Sequence, residues 1–193
     1  MANTDEARLK IIDTARNIFS HYGFKKTTME EIASGARKGK SSIYYYFNGK
    51  EEIFRAVVEK EAEELKSELL EEIEAIDDPI EKLKVYISAR MRKLRKLTNF
   101  YAALKSDYLG SMEFISEIRA KYDFTEIKII SGIIREGIEN NKFSVEDPDL
   151  SAVAIVTAMK GLEVPLLVND EHGNFETRLE HIINFLFYGI IKR

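Results

Sequence analysis

Apolar residues recur every three or four positions along nearly the whole chain of 193 residues, and no segment alternates apolar and polar residues as a half-buried strand does. This period predicts an all-α protein. We expect a first helix from about Asp5 to Tyr22, because Gly23 then supplies a C-terminal stop. Two short helices are expected next, one that begins near Thr27 and one that begins near Lys40.

Longer helices are predicted beyond residue 49. The same periodicity places them at about 50–76, 79–97, 112–140, 149–168 and 176–191, with Pro79 in a first-turn position that tolerates proline. At a rise of 1.5 Å per residue, the helix at 50–76 is roughly 40 Å long. The pattern therefore predicts a three-helix domain at residues 1–49 and a second helical domain at residues 50–193.

The charge of the chain is distributed unevenly. The net charge is −4, but residues 1–50 carry nine Lys and Arg against five Asp and Glu, so the acidic excess lies in the remainder. A basic head on an acidic body indicates that the first 50 residues meet an anionic partner. A chance fluctuation explains the same counts equally well.

Composition narrows the class of protein further. The chain has no cysteine, which excludes disulfides and Cys-ligated zinc, and its three histidines do not have the spacing of helical metal ligands. We therefore expect no metal and no cofactor. The polar start of the sequence and the absence of a long apolar run predict a cytoplasmic protein without a membrane partner.

The stretch SGARKGKSS at residues 34–42 has two interpretations. Gly35, Gly39, Lys40 and Ser41 resemble the phosphate-binding loop GxxxxGK[ST] of a nucleotide enzyme. However, three residues separate the two glycines where that loop has four, and the preceding MEEIASGA has helical periodicity where the loop requires a strand. These differences favour a helix-turn-helix motif and a protein that is not an enzyme.

A helix-turn-helix places its second helix in the major groove of DNA. The first helix of the motif has two possible capping boxes, Thr27 with Glu30 or Thr28 with Glu31. In the second helix, Ile43 and Phe47 are expected to pack on Ile32 and on the first helix of the chain. The opposite side then presents Lys40, Ser41, Tyr44 and Tyr45 to phosphates and base edges. Tyrosines 44–46 as ordinary core residues are the alternative, although three consecutive helical positions do not all face inward.

At these residues the sequence resembles the TetR family of one-component bacterial transcriptional regulators. The resemblance lies in TTMEEIASGARKGKSSIYYYFNGKEEIF and extends over about residues 8–58. It implies an N-terminal three-helix DNA-binding domain, joined by a long helix to a C-terminal helical domain that binds an effector and dimerises. It also implies a repressor that a small-molecule effector releases from a palindromic operator in double-stranded DNA. With this resemblance, the predicted DNA-binding residues are Thr28, Lys38, Lys40, Ser41, Ser42, Tyr44, Tyr45 and Lys50, the last as the lysine that clamps the DNA backbone.

The turn departs from the usual TetR pattern, which has glycine, an apolar residue and serine where this chain has Arg37, Lys38 and Gly39. We expect the stem of Lys38 to cover the gap between the two helices, or the turn to shift. Gly39 should be a weaker N-cap than serine. The two additional cations are expected to strengthen non-specific phosphate binding.

Two helices near the C-terminus have features of an interface. Apolar residues of the last helix extend over much more than the ~100° that a single core requires, and the helix at 149–168 presents small residues. The predicted homodimer interface consists of Ala154, Ala158, Gly161, Ile183 and Phe187. Two alternatives stay open, namely a monomer in which both helices are central and a helical adaptor that binds another protein through the same surfaces.

Aromatic residues with a few polar neighbours suit a ligand cavity in the second domain. The predicted effector site consists of Tyr86, Arg90, Tyr101, Tyr108 and Tyr122. Plain core packing of these aromatic side chains is the alternative.

Overall fold

The computed structural model describes residues 2–97, 99, 113–163 and 174–188, with side chains from residue 5 onward. All regular elements within these ranges are helices, which confirms the all-α prediction. They are α1 (Ala2–Tyr22), α2 (Met29–Gly35), α3 (Lys40–Tyr46), α4 (Lys50–Glu74), α5 (Pro79–Leu94), α6 (Glu113–Glu139), α7 (Pro148–Glu163) and α8 (Phe175–Tyr188). None of the helices in the described part of the chain combines the length and the apolar character that a membrane crossing requires.

Helix α2 begins at Met29 because Thr28 caps it. The Thr28 hydroxyl accepts the N–H of Glu31 at 3.2 Å, and the Glu31 carboxylate accepts the N–H of Thr28 at 2.8 Å. Of the two possible capping boxes, the structure therefore uses this one. Thr27 is buried, and its hydroxyl donates to the carbonyl of Gly23 at 2.9 Å.

The longer helices also have identifiable ends. Helix α5 begins at Pro79, and its N-cap Asp78 accepts the N–H of Ile80 at 3.2 Å. Helix α6 ends in a turn where Asn141 has φ of 53° and the N–H of Lys142 donates to the carbonyl of Gly137 at 2.7 Å. Asparagine tolerates this left-handed conformation better than most residues do.

The chain forms two compact units. Unit 1 comprises Met1–Glu64 and Leu97–Ile118, and unit 2 comprises Leu65–Lys96 and Arg119–Arg193. Helices α4 and α6 each contribute residues to both units. The predicted domain boundary between residues 49 and 50 does not coincide with the division into these compact units. It divides a DNA-binding from an effector-binding function, and in that sense it stays a prediction.

The core of unit 1 contains the inward face of the helix-turn-helix. Ile32, Ile43 and Phe47 are all buried, as predicted. The guanidinium of Arg8, on α1, lies 4.9 Å from the ring centroid of Phe47. The second short helix of the motif is thus held against α1 by its apolar side.

Unit 1 also contains a buried carboxylate with a complete set of partners. Glu61 Oε1 accepts from Arg16 Nε at 3.1 Å and from Asn99 Nδ2 at 2.9 Å. The same Asn99 amide donates to the backbone carbonyl of Arg16 at 3.0 Å. Residue 99 is therefore connected to both α1 and α4.

The core of unit 2 is built from one apolar stripe of each helix that contributes to it. Helix α8 shows this most simply, because Phe175, Leu179 and Ile183 are buried at intervals of four residues. The other stripes contain Leu65, Leu69 and Ile73 of α4, Leu83 and Ile87 of α5, Ile130, Ile133 and Ile134 of α6, and Ala152, Val156 and Met159 of α7.

Candidate nucleic-acid interface and effector site

The turn between α2 and α3 is a Schellman motif. The N–H of Lys38 donates to the carbonyl of Ala33 at 2.9 Å, and the N–H of Arg37 donates to the carbonyl of Ser34 at 3.1 Å. Arg37 takes the left-handed conformation, with φ of 54°, at the position where TetR sequences usually have glycine. The turn therefore adopts a backbone geometry that suits glycine, with an arginine in its place.

The two residues after Arg37 complete the turn. Lys38 is half-buried, in agreement with the expectation that its stem covers part of the gap between the helices. Gly39 is the N-cap of α3 in an extended conformation and makes no side-chain cap hydrogen bond. It is thus the weaker cap that the sequence predicts.

Helix α3 has a buried face and an exposed face. Tyr44 is 46% exposed and Tyr45 is 77% exposed, so the alternative that these tyrosines belong to the core is wrong. Lys40 and Ser41 are also exposed, and Ser42 is half-buried. Of the predicted groove-facing residues, four are therefore exposed to solvent while Ile43 and Phe47 are buried.

Lys40 forms an ion pair with Glu30 of α2. The hydrogen bond between them raises the pKa of Lys40 and lowers the pKa of Glu30. Both side chains are more than half exposed, with side-chain exposures of 58% and 59%. Water screens such a pair, so a DNA phosphate can take the place of the carboxylate.

Two other predicted DNA contacts are engaged within unit 1. Lys50 Nζ donates to the carbonyl of Thr27 at 2.8 Å and lies 4.5 Å from the ring centroid of Phe24. The hydroxyl of Thr28 lies 2.9 Å from the carboxylate of Glu31 in the capping box. Both side chains thus stabilise the helix-turn-helix itself, and a DNA contact by either one stays a prediction.

Gly35, which prompted the nucleotide-loop interpretation, has a packing role. It is the last residue of α2, and a Cβ added to it would lie 2.8 Å from Thr14 Cγ2 and 3.2 Å from Ile18 Cδ1. Because residues 29–35 form a helix and not a strand, the nucleotide-loop interpretation is wrong. Glycine is needed here so that α2 can approach α1 closely.

Unit 2 contains a buried cluster of charged and aromatic side chains. Arg90 of α5 is 1% exposed. Its Nε donates to Glu126 Oε1 at 2.5 Å, and its Nη2 donates to Glu163 Oε1 at 2.7 Å. The Tyr86 hydroxyl donates to Glu126 Oε1 at 3.3 Å, and the Tyr122 ring centroid lies 5.9 Å from Arg90 Cζ. Three predicted effector residues, Tyr86, Arg90 and Tyr122, therefore come together on α5 and α6.

Among the described residues of this cluster, acidic side chains outnumber basic ones. One guanidinium faces two carboxylates, and Oε2 of Glu126 is buried without a hydrogen-bond partner among the described residues. Burial raises the pKa of Glu126, although Arg90 pulls in the opposite direction. Burial also raises the pKa of both Tyr86 and Tyr122, so both phenols stay neutral. Tyr101 and Tyr108, the other two predicted effector residues, lie outside the described residues.

Residues 11–57 match the family model of bacterial regulatory proteins of the tetR family. This segment is a TetR-type DNA-binding domain. The matched segment contains α2, the turn and α3, so the predicted resemblance is confirmed at the residues that carried it. The protein is a DNA-binding transcriptional regulator.

Similar proteins cover most of the chain. The uncharacterized HTH-type transcriptional regulator YhgD of Bacillus subtilis is 27% identical over 149 residues, which are 76% of each chain. The structure of a TetR/AcrR-family regulator from Thermobifida fusca superimposes with a TM-score of 0.79 at 20% identity, over 97% of this chain and 100% of that one. The structure of FadR from Bacillus subtilis in complex with stearoyl-CoA has a TM-score of 0.71 at 23% identity, over 95% and 99% of the two chains.

Two members of the buried cluster, Glu126 and Glu163, are not among the residues selected from the sequence. A signal for them does exist. Glu126 lies four residues after Tyr122 and four before Ile130, within the buried stripe of α6, and Glu163 lies four residues after Met159 in α7. A carboxylate on an apolar stripe indicates a buried polar group with a partner on another helix.

The predicted interface residues separate into two groups. Ala154 and Gly161 are exposed and Ala158 is half-buried, so these small residues share an accessible side of α7. Ile183 is buried within unit 2, and its assignment to an exposed interface needs correction. Because α8 is apolar on most sides, the sequence does not reveal which side faces the protomer's own core. The large apolar side chains that α8 exposes are Phe185, Leu186 and Tyr188.

Phe187, the last predicted interface residue, is half-buried beside a cavity of 480 Å³ in unit 2. The cavity is bounded by parts of α5, α6, α7 and α8 and by the loop at 142–145, and its wall is mainly apolar. The ammonium of Lys84 lies 5.6 Å from the centroid of the Phe187 ring. Phe187 therefore packs within its own unit with only part of its surface accessible.

Proposed function

We propose that this protein is a repressor that binds a palindromic operator as a homodimer and leaves it when a small molecule binds in unit 2. The observation that carries the proposal is the division of α3 into a buried apolar face and an exposed face with serine, lysine and tyrosine side chains. Tyr44 and Tyr45 do not pack in the apolar core of unit 1, so their exposure favours contact with a partner. Because that partner is genomic DNA, the proposal assigns the protein to the cytoplasm.

The residues of the DNA interface have different roles in this proposal. Lys40, Ser41, Ser42, Tyr44 and Tyr45 face the major groove, where hydroxyl groups and an ammonium can reach base edges. Thr28 and Lys50 flank the motif, and Lys38 lies in its turn. All three contact phosphates, which position the helix without reading the sequence. Lys40 exchanges Glu30 for DNA when the complex forms.

A homodimer is part of the proposal because a palindromic operator is read by two recognition helices together. The support comes from the accessible sides of α7 and α8. Ala154, Ala158 and Gly161 allow close approach of a second helix, while Phe185 and Tyr188 are 56% and 57% exposed. Large apolar side chains exposed on one helix are typical of a protein interface.

The effector site is proposed at the buried cluster around Arg90. A small number of polar groups among aromatic side chains is the usual composition of a ligand site. The same fold occurs in the FadR structure with stearoyl-CoA, a complex that belongs to that protein. No chemical step is assigned to the cluster, because its proposed role is to bind.

The proposal is tested first on DNA. Genomic fragments that bind the protein are selected, and the affinity for the best fragment is measured at several salt concentrations. Lys40→Ala should weaken binding and reduce the slope of log affinity against log salt by about one, because one phosphate contact is lost. Glu30→Gln should strengthen binding, because it frees Lys40 and removes a negative charge beside the DNA.

Lys121→Ala is the matched control for this experiment, since Lys121 is an exposed lysine of α6 in unit 2. It should leave both the affinity and the salt slope unchanged. Tyr45→Ala should reduce the preference for the selected fragment over random DNA. An unchanged salt slope in both Lys40→Ala and Lys50→Ala would contradict the assignment of α3 and the start of α4 to DNA.

A further inference from the structure

The cluster around Arg90 differs from the site of Glu61, another buried carboxylate among the described residues. In unit 1, Arg16 pairs with both Glu61 and Glu64. However, Asn99 also donates to Glu61, and the Glu64 side chain is 39% exposed and lies 3.8 Å from Lys60. In unit 2, Arg90 serves two carboxylates, those of Glu126 and Glu163, which are 1% and 6% exposed. The described residues therefore leave one negative charge of this cluster without a cation.

One acceptor atom of this cluster lacks a donor among the described residues. Glu126 Oε1 accepts hydrogen bonds from both Arg90 and Tyr86, whereas Glu126 Oε2 is buried and accepts none among the described residues. An ionised carboxylate without a counter-charge is costly to bury, and proteins neutralise it with a proton or a cation. The structure thus contains a buried acceptor that a donor or a cation would satisfy.

The surroundings of Glu126 favour a cation on an apolar body. Among the described residues, the groups that face the cluster are Tyr86 and Arg90 from α5, Tyr122 from α6 and Glu163 from α7. Their sum with Glu126 is negative, so an anionic group would be repelled. Tyrosine rings stabilise an organic cation through their π-electron faces, and they also accept aliphatic groups.

We propose that the effector of this protein carries a protonated amine or another ammonium group, which binds to Glu126 Oε2 between Tyr86 and Tyr122. This inference rests on the proposed effector site in unit 2, and it specifies the chemical class of the ligand. Glu126 determines the charge of the ligand, and Arg90 holds the Glu126 carboxylate through its other oxygen. A ligand with an acidic head group does not fit this cluster.

The test compares three ligands with the same alkyl chain, namely decylammonium, decan-1-ol and decanoate, by calorimetry on the full chain. The wild-type protein should bind decylammonium about tenfold or more tightly than decan-1-ol, because only the cation pairs with the buried carboxylate. Decanoate should bind most weakly. Equal affinities for decylammonium and decan-1-ol would overturn the proposal without the use of any variant.

Variants then test whether Glu126 is the residue that binds the ammonium group. Glu126→Gln keeps the shape of the side chain and should weaken decylammonium binding by about tenfold or more, while the affinity for decan-1-ol stays the same. Glu136→Gln is the matched control, because Glu136 is a carboxylate of the same helix that pairs with Lys82 at 2.8 Å. Unchanged decylammonium binding in Glu126→Gln would show that the cation does not bind at this atom and would overturn the proposal.

The pH dependence of decylammonium affinity shows whether the ligand pairs with the ionised carboxylate of Glu126. Since burial raises the pKa of Glu126 above its usual 4.5, decylammonium affinity should increase as the pH rises through that raised value and the carboxylate ionises. An affinity that does not change with pH would mean that the amine binds elsewhere. This outcome would also overturn the inference.

A parallel measurement of operator release keeps the two proposals distinct. If decylammonium binds through Glu126 but does not release the operator, the cation site stands and the repressor switch fails. If stearoyl-CoA releases the operator and Glu126→Gln leaves this effect intact, the repressor switch stands and the cation site is refuted. Circular dichroism and thermal unfolding of Glu126→Gln, compared with the wild type, establish whether the variant is folded.

Discussion

At the scale of single residues, Arg37 is under backbone strain that a glycine would relieve. Its φ of 54° lies in the left-handed region, where a side chain crowds the carbonyl oxygen. The hydrogen bonds of Lys38 and Arg37 to the end of α2 hold it there. The turn thus keeps its geometry at an energetic cost and gains a guanidinium beside the predicted DNA-binding helix.

Arg37→Gly should raise the free energy of unfolding by about 0.5–1 kcal/mol, which is the relieved strain less the greater flexibility of glycine in the unfolded chain. Arg37→Ala is the control, because it removes the guanidinium but keeps the strain. Urea denaturation of the three proteins measures the difference. An Arg37→Gly protein less stable than Arg37→Ala would show that the turn is not strained at this residue.

The sequence predicts the two faces of α3 well and the buried cluster of unit 2 only in part. Ile43 and Phe47 are four residues apart, and this spacing predicts the buried side of α3 and leaves Tyr44 and Tyr45 exposed. Glu126 and Glu163, in contrast, come from different helices and are buried only because Arg90 meets both. Helical periodicity describes one element at a time and contains no information about which charged residues meet.

At the scale of helices, α7 and α8 each bury one side and expose the other. The predicted residue Ile183 belongs to the buried side of α8, whereas Phe185 and Tyr188 belong to the exposed side. A nearly all-apolar helix gives no sequence signal for this choice, because either side can face the core. The small residues predicted on α7 do lie on its accessible side, since Ala152 alone among the alanines of this helix is fully buried.

Phe185→Glu should produce a monomer that keeps its helical content and loses operator affinity, because a carboxylate cannot be buried against an apolar partner. Sedimentation, circular dichroism and operator titration measure the three properties. Phe124→Glu is the matched control, because Phe124 is a similarly exposed phenylalanine, 59% against 56%, on α6. Dissociation in the control but not in Phe185→Glu, or a wild-type protein that is monomeric at micromolar concentration, would reject the α7 and α8 interface.

At the scale of the whole molecule, α4 is the element through which the proposed switch acts. It is continuous from Lys50 to Glu74, and its 25 residues correspond to roughly 37 Å of helix. The first part of α4 belongs to the core of unit 1 and the last part to the core of unit 2. The sequence predicts this long helix because its apolar stripe is uninterrupted. Because the stripe is uninterrupted, the sequence contains no signal for the residue at which unit 1 ends and unit 2 begins.

The proposed switch predicts reciprocal coupling between the effector and the operator. An effector that distinguishes two states by the usual coupling free energy should lower operator affinity by roughly 5–150-fold, and the operator must lower effector affinity by the same factor. The measurement is a pair of titrations, with effector added to the free protein and to the protein–operator complex. Equal effector affinities in the two titrations would eliminate the switch.

The close contact at Gly35 has a genetic consequence. Alanine is favoured over glycine within a helix, so Gly35→Ala is a change that local propensity accepts. Its methyl group, however, would collide with Thr14 and Ile18 and push α2 away from α1. The angle at which α3 is presented would then change although every side chain proposed to face DNA is intact. In a selection for loss of the proposed repression, substitutions at this close contact belong beside those at the tyrosines of the exposed face.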